Sequence, residues 1–182
     1  MASTSEISAR AIMALVDRGL LDQALADARR LTEQVPDDPA GWRAVGYVHV
    51  SRKSFADAEQ ALRHAISLAP KDALSWEHLG WMHRRAGDFA QAVTALQESL
   101  SIDAANPRPR MMLANSLADL GKTKSAIAEY QRVLAREPDH VRAHNNLANL
   151  LAAQGRLKLA ADHYARAAGR SDDYAHRISA AH

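Results

Sequence analysis

The chain has 182 residues, of which 47% are apolar, 5% are aromatic and 24% are charged. Its formal charge is only +2, from 23 basic and 21 acidic residues, whereas nucleic-acid-binding proteins carry a concentrated basic excess, so we expect no nucleic-acid partner. Cysteine is absent, which excludes disulfides, thiolate catalysis and cysteine-based metal centres and fits a reducing compartment.

The N-terminal residues contain no basic start followed by an apolar stretch, so no signal peptide is predicted. No run in the sequence approaches the roughly 18 apolar residues that a membrane-spanning helix needs. We therefore expect no direct membrane insertion and a cytoplasmic location. Residues 1–4 are expected to be a flexible N-terminus.

The rest of the chain repeats itself every 34 residues. Trp42 and Trp76 are separated by this period, and so are Gly46 and Gly80. A fixed period of this length is the sequence signature of a repeat architecture. The period divides the chain into five blocks and a short C-terminal capping segment, with the bounds 5–38, 39–72, 73–106, 107–140, 141–174 and 175–182.

Each block predicts two helices separated by a tight turn. Asp38 and Asn106, each followed by proline, are good N-caps for the first helix of a block. A glycine near the middle of the block, such as Gly87, provides the left-handed conformation that the turn needs. Asp88 with Gln91 then resembles a capping box that starts the second helix.

Small residues recur where the two helices of a block are expected to cross. The pattern places Gly46 opposite Ala58 and Gly80 opposite Ala92. Because these residues lack bulk, we expect the two helix axes to approach closely at this point.

These residues resemble the tetratricopeptide repeat family in its bacterial form, and the resemblance covers residues 5–174. It implies an all-α fold, a right-handed superhelical solenoid of antiparallel helix pairs. The matching residues are Trp42, Val45, Gly46, Ala58, Leu62, Ala65 and Pro70 in block two; Trp76, Leu79, Gly80, Gly87, Ala92 and Leu96 in block three; Leu113, Ala114, Gly121, Ala126, Tyr130 and Pro138 in block four; and Leu147, Ala148, Gly155, Ala160, Tyr164 and Ala167 in block five.

The two ends of the array depart from the family pattern. Block one has Ser8 and Ile12 where a large and a small residue belong, so irregular packing is expected there. The segment 175–182 is too short for the full capping helix common in the family. Tyr174 and Ile178 are expected to cover part of the last repeat and to leave some apolar edge exposed, which favours self-association or a partner.

The resemblance further implies that the first helices of the repeats line a concave groove. Residues 5, 9 and 12 of a block are spaced as one helical stripe that faces this groove. The candidate groove residues are Arg43, Tyr47, Glu77, His78, Trp81, Arg84, Arg108, Met111, Asn115, Asn145 and Asn149.

The groove residues suggest a peptide-binding surface. Tyr47 and Trp81 occupy the same position in neighbouring repeats and would anchor a peptide, while asparagine amides would bond its backbone and arginines a carboxylate. In the alternative interpretation, Trp81 packs between adjacent first helices and the polar residues are ordinary surface residues. The carboxylate clamp of chaperone-binding relatives is matched poorly, and the asparagine ladder of sugar-transferase relatives is matched only by Asn146.

No catalytic or metal-binding constellation is predicted. His140 and His144 are four residues apart, but His140 falls in a predicted turn and no third ligand is evident. His49 and His83 are expected at helix-pair interfaces. The nine histidines are therefore interpreted as structural, with no metal and no cofactor, and the chain is predicted not to be an enzyme.

Three functions remain open from the sequence. The leading one is a protein-interaction adaptor that binds a partner peptide or helix, of unknown identity, in the groove. The second is a self-assembling homo-oligomeric scaffold that associates through the poorly capped C-terminal edge or through the groove itself. The third is an accessory binding domain for a separate enzyme such as a transferase.

Overall fold

The computed structural model describes residues 8–169, within which the chain forms ten α-helices and no β-strand. Two helices fall in each block. Tyr174, Ile178, the expected flexible N-terminus and the segment 175–182 lie outside the described residues. The helices are α1 (Ala9–Asp17), α2 (Leu21–Gln34), α3 (Pro39–Ser51), α4 (Phe55–Leu68), α5 (Ala73–Ala86), α6 (Phe89–Ile102), α7 (Pro107–Asp119), α8 (Thr123–Arg136), α9 (Val141–Ala153) and α10 (Leu157–Ala167).

The predicted capping residues begin the helices as expected. The Asp38 carboxylate accepts a hydrogen bond of 2.8 Å from the backbone N–H of Ala40, and the Asn106 side chain accepts one of 3.1 Å from Arg108. Proline follows each cap at the first helical position, where it lacks only an N–H that the helix would leave unpaired. Asp88 accepts from the backbone N–H of Gln91 at 3.2 Å, which confirms this half of the capping box.

The turn inside each block requires a left-handed residue. Glycine fills this position in four blocks, with φ between +72° and +84°. Block two has Lys53 there, with φ +61°. Because a side chain disfavours this conformation, Lys53 is a strained position that the remaining contacts of block two hold in place.

The chain divides between Ala105 and Asn106 into two compact units. Unit 1 contains α1–α6, and unit 2 contains α7–α10. The division coincides with the join between blocks three and four. Among the helices of residues 8–169, none combines the length and the apolar character needed to span a bilayer.

In unit 1 the close helix crossing forms, and a leucine that was not predicted there packs closest to the glycine. A Cβ atom added at Gly46 would lie 2.6 Å from Leu62 Cγ, and one added at Gly80 would lie 2.6 Å from Leu96 Cγ. Ala92 contributes its backbone carbonyl, 3.4 Å from the added Cβ of Gly80. The glycine therefore makes room for the leucine four residues beyond the predicted alanine, because that leucine points into the crossing.

Successive blocks of unit 1 are joined by a repeated hydrogen bond. Trp42 donates its indole N–H to the carbonyl of Pro36 at 2.8 Å, and Trp76 donates to the carbonyl of Pro70 at 3.0 Å. Block one is packed into this unit, because Ile12 is fully buried in a cluster with residues of α2 and α3. The irregular residue of block one thus contributes to the core.

Unit 2 uses a related hydrogen bond at the same position. His144, at the position of the two tryptophans, lies with its Nε2 atom 2.7 Å from the carbonyl of Pro138. Tyr130 and Leu147 are buried between the helices of the unit. Arg110 pairs with Glu129 at 2.9 Å, with both side chains mostly buried, which satisfies the carboxylate inside the unit.

Candidate functional site

The ninth residue of blocks two to five turns away from the core. In blocks two to five this residue is Tyr47, Trp81, Asn115 or Asn149, and none of the four is fully buried. The two residues before each of them are buried, and a helix advances about 100° per residue, so the ninth residue faces outward. We call the outward faces of α3 and α5 the unit 1 surface, and those of α7 and α9 the unit 2 surface.

The unit 1 surface is built on two stacked aromatic rings. The rings of Tyr47 and Trp81 are 5.0 Å apart between centroids and inclined by 17°. His78 lies beside them, 6.1 Å from Tyr47. Trp81 also packs against the core cluster that contains Leu79 and Met82. The stack thus joins α3 to α5 while both rings stay half-buried.

The Arg43 side chain forms an ion pair within unit 1. Its guanidinium forms an ion pair with Asp72, and the two side chains are only 17% and 24% exposed. Asp72 also caps α5, accepting a hydrogen bond of 3.3 Å from the N–H of Leu74 and one of 2.5 Å from the hydroxyl of Ser75. The charge of Arg43 is therefore balanced by Asp72 inside unit 1.

Two further predicted groove residues of unit 1 are buried. Glu77 is 1% exposed and His78 is 6% exposed. Packed protein atoms enclose both side chains, so these residues do not present the open surface that was expected of them. Arg84 remains half-buried, with its guanidinium carbon 5.8 Å from the centre of the Phe89 ring.

The unit 2 surface carries asparagines that are bonded to tyrosines. Asn115 Oδ1 accepts a hydrogen bond of 2.5 Å from the Tyr130 hydroxyl and one of 2.8 Å from the Asn146 amide. Asn149 Oδ1 accepts from the Tyr164 hydroxyl, also at 2.5 Å. The Oδ1 atoms of Asn115 and Asn149 thus accept hydrogen bonds from residues of unit 2, and the side-chain N–H groups are the donors that a ligand could bind.

The sequence contained an overlooked signal for these pairs. Asparagine at the ninth position occurs together with tyrosine fifteen residues later in blocks four and five, whereas Tyr47 and Trp81 occur with leucine there. Of the other candidates in unit 2, Arg108 and Asn145 are exposed, and Met111 is half-buried.

The buried histidines have structural roles. His140 caps α9, with its Nδ1 accepting the N–H of Ala143 at 3.1 Å. His144 and His163 approach within 2.8 Å between their Nδ1 atoms. Because a carbonyl oxygen can only accept, His144 Nε2 donates to Pro138, and one of the two Nδ1 atoms donates a hydrogen bond to the other. Burial, and then the nearby His144 and Arg166, lowers the pKa of His163.

His49 and His83 lie at helix-pair interfaces within unit 1. Burial lowers the pKa of both, although Asp57 and Glu59 oppose the shift. Within residues 8–169, no group of three or more histidine, aspartate or glutamate side chains is arranged to hold a metal ion.

Residues 10–73, 54–107 and 111–175 match the family model described as tetratricopeptide repeat. The chain belongs to the tetratricopeptide repeat family. The expected all-helical solenoid fold is thereby confirmed together with the ten helices of the described residues. No curated protein sequence matches the chain significantly.

Solved structures of other tetratricopeptide repeat proteins share this fold. MamA from Desulfovibrio magneticus RS-1 is 15% identical, with a TM-score of 0.78 over 90% of this chain and 93% of that one. PilF of Pseudomonas aeruginosa is 18% identical, with a TM-score of 0.82 over 89% of this chain and 74% of that one. YrrB, described as a tetratricopeptide repeat protein with an unusual peptide-binding site, is 18% identical, with a TM-score of 0.70 over 93% of this chain and 87% of that one.

Membership in this family supports a general role in protein–protein interaction. Repeats of this kind stack neighbouring helix pairs and display a long surface of outward-facing residues. In this tetratricopeptide repeat protein, the outward-facing residues at the ninth position are aromatic in blocks two and three of unit 1 and are amides in unit 2.

Proposed function

We propose that this tetratricopeptide repeat protein is a non-catalytic adaptor that binds a peptide or helix of a partner protein on its first helices. The observation that carries the proposal is the stack of Tyr47 on Trp81, which leaves two aromatic rings half-buried at one position of successive repeats. Large aromatic side chains with few rotatable bonds are the residues that most often anchor protein partners.

The chemistry of the unit 1 surface favours an apolar or aromatic side chain of the partner. Tyr47 and Trp81 offer flat ring surface, and Arg84 lies on the same helix as Trp81, three residues further on. Since Arg43 is paired with Asp72, and Glu77 is buried, the attraction on this surface rests on the rings rather than on those two charges.

The unit 2 surface favours the backbone of a partner. The Oδ1 atoms of Asn115 and Asn149 already accept tyrosine hydroxyls, so their amide N–H groups would donate to backbone carbonyls of a bound segment. Asn145 and Arg108, both exposed, add further donors. The peptide-binding site named for YrrB, a fold relative, gives a precedent for a peptide ligand on this scaffold.

The proposal is tested with peptides selected from a random library displayed on phage. The dissociation constants of the selected peptides are measured for the wild type and for the double variant Tyr47→Leu/Trp81→Leu. Leucine keeps apolar bulk but removes the ring faces, so we expect binding to weaken at least about tenfold. Thermal melting followed by circular dichroism verifies that the variant stays folded.

A matched control replaces an exposed residue of a second helix, Gln97→Ala in α6. This control is expected to bind like the wild type. If the selected peptides bind the double variant as tightly as the wild type, or if selection yields no peptide, the adaptor proposal for the unit 1 surface is wrong.

Self-association is the second candidate function. It is favoured by the exposure of large apolar residues at the end of unit 2, among them Leu157, Leu159 and Tyr164. Exposed apolar surface of this kind marks interaction sites in otherwise polar surfaces.

A further inference from the structure

The last helix carries an apolar stripe that nothing in the described residues covers. We call the stripe of Leu157, Ala161, Tyr164 and Ala168 the terminal stripe. Leu157 is 68% exposed and Tyr164 is 41% exposed, and the two alanines are also exposed. The spacings of four, three and four residues place all four side chains on one face of α10 and its C-cap.

The same positions in earlier repeats are covered by the helix that follows. In block four the equivalents of Ala161 and Tyr164 are Ile127 and Tyr130, which are 9% and 2% exposed. In blocks one and two, no residue at the four equivalent positions is exposed. The terminal stripe is therefore a helix-docking face, built like an internal interface of this protein.

The order of residues along the stripe makes it complementary to itself. Large and small residues alternate, as leucine, alanine, tyrosine and alanine. If two copies of α10 run antiparallel about a two-fold axis, Leu157 lies opposite Ala168 of the other copy, and Ala161 lies opposite Tyr164. Each large side chain then meets a small one, which is the arrangement that fills a helix interface without gaps or clashes.

The charges beside the stripe permit this pairing. Lys158 flanks the stripe, and in the antiparallel register it lies level with Ala167 and beside Ala165 of the other copy, so no two lysines face each other. Asp162 lies one turn after Lys158 on the same helix. In the dimer, the distance from Asp162 of one copy to Lys158 of the other would be shorter than the distance between the two Lys158 side chains. Like-charge repulsion therefore does not oppose association.

We propose that two copies of the chain associate through their terminal stripes, with α10 packed antiparallel on α10 of the other copy about a two-fold axis. The proposal rests on self-association as a function and specifies its surface, register and symmetry. A two-fold interface uses the same patch on both copies and closes after two, so the product is a dimer rather than a fibre.

The dimer is expected to be weak. A helix of 11 residues makes about three turns, and one pair of such helices buries less than the roughly 1,600 Å² of a standard stable interface. We expect monomer at low micromolar concentration and a growing dimer fraction as the concentration rises to several hundred micromolar. Sedimentation velocity over this range measures the fraction.

Cysteine cross-linking tests the register, because the natural chain has no cysteine to interfere. The double variant Leu157→Cys/Ala168→Cys is expected to form a covalent dimer under mild oxidation. Its two cysteines are eleven residues apart on one helix, about 16 Å, so they cannot join within one chain. Neither single variant should cross-link efficiently, because the cysteine of one chain lies far from the equivalent cysteine of the other chain in the antiparallel dimer.

A charge variant tests the surface independently of cross-linking. Tyr164→Glu is expected to abolish the dimer at every concentration, because two carboxylates would be buried in the interface. The control Arg136→Glu alters an exposed residue of another helix and should leave the dimer fraction unchanged.

Each alternative outcome overturns the proposal. A wild type that stays monomeric at all concentrations shows that residues 170–182 of the same chain, or a different partner, occupy the stripe. A dimer that survives Tyr164→Glu uses another surface. Efficient cross-linking of the single Leu157→Cys variant shows parallel helices. None of these results bears on peptide binding at Tyr47 and Trp81, which the library selection tests separately.

Discussion

Replacing Gly80 by alanine tests how tightly the two helices of a repeat must approach. An added Cβ would lie 2.6 Å from Leu96 Cγ and 2.8 Å from Leu96 Cδ2, well inside the ordinary separation of about 3.5–4.0 Å for carbon atoms. Leu96 is fully buried, so it can move only by displacing its neighbours. The substitution therefore overpacks the crossing of α5 and α6.

The expected cost combines two opposing effects. Overpacking a dense core costs about 1–3 kcal/mol, whereas alanine favours a helix over glycine by about 1 kcal/mol. The net loss for Gly80→Ala is therefore about 1 kcal/mol, with a range of about 0–2 kcal/mol. All three tryptophans of the chain, Trp42, Trp76 and Trp81, belong to unit 1, so tryptophan fluorescence during urea unfolding reports this unit selectively.

Two further variants determine whether Leu96 is the cause. Gly41→Ala is the matched control, since its added Cβ would lie 3.1 Å from Thr32 Cγ2, a milder contact than at Gly80, while alanine gains the same helix propensity; this variant should therefore be more stable than Gly80→Ala by about 1 kcal/mol. In a Leu96→Ala background, Gly80→Ala should become neutral or stabilising, because the obstructing atoms are gone. An equal cost of Gly80→Ala in both backgrounds would refute the reasoning.

Three further predictions concern single side chains. Lys53→Gly should stabilise unit 1 by about 0.5–1 kcal/mol in the same urea assay, because it relieves a left-handed residue. Gly87→Lys, the reverse change at the equivalent position of the next block, should cost about 1 kcal/mol in that assay, and a destabilising Lys53→Gly would contradict this. Tyr130→Phe should cost about 1 kcal/mol, because Asn115 Oδ1 loses a buried donor. Tyr164→Phe at the exposed end should cost less than about 0.5 kcal/mol, and equal losses in thermal melts would show that burial does not govern the pair. Burial lowers the pKa of His163, so the folded state binds fewer protons than the unfolded chain, and stability should fall as the pH drops below the unfolded pKa of about 6.5. Thermal melts between about pH 7.5 and 5 should therefore show a weaker pH dependence for His163→Gln than for the wild type. An unchanged pH dependence would argue against this role of His163.

The fold could be predicted from the sequence because its determinants are local or periodic. The caps at Asp38 and Asn106 involve backbone groups two residues away, so the sequence alone specifies them. The turn residue at Gly87 is likewise a local requirement. The helix crossing was only partly predicted, since whether Ala92 or Leu96 fills the space beside Gly80 depends on side-chain direction across two helices.

The candidate site was predicted less well because exposure depends on neighbouring helices. A stripe drawn on one helix placed Glu77 and Arg43 toward the groove, but Glu77 is buried and Arg43 is held by Asp72, twenty-nine residues away. No periodicity within α3 or α5 contains that information. By contrast, the outward placement of Tyr47 and Trp81 follows from helix geometry, and their contact follows from the repeat spacing.

The second helix of each block carries a residue fifteen positions after the outward-facing ninth residue. This residue explains why the unit 1 surface is aromatic and the unit 2 surface carries amides. Leu62 and Leu96 carry no hydrogen-bond donor, so they require no acceptor at the ninth position, where Tyr47 and Trp81 stack on each other. In unit 2 the tyrosine hydroxyl must have an acceptor where it is buried, as at Tyr130, and asparagine at the ninth position supplies it. The core therefore determines which residue type the surface can carry. In the proposed adaptor, the rings of the unit 1 surface would contact apolar side chains of a partner, and the amide N–H groups of the unit 2 surface, considered separately, would donate to backbone carbonyls.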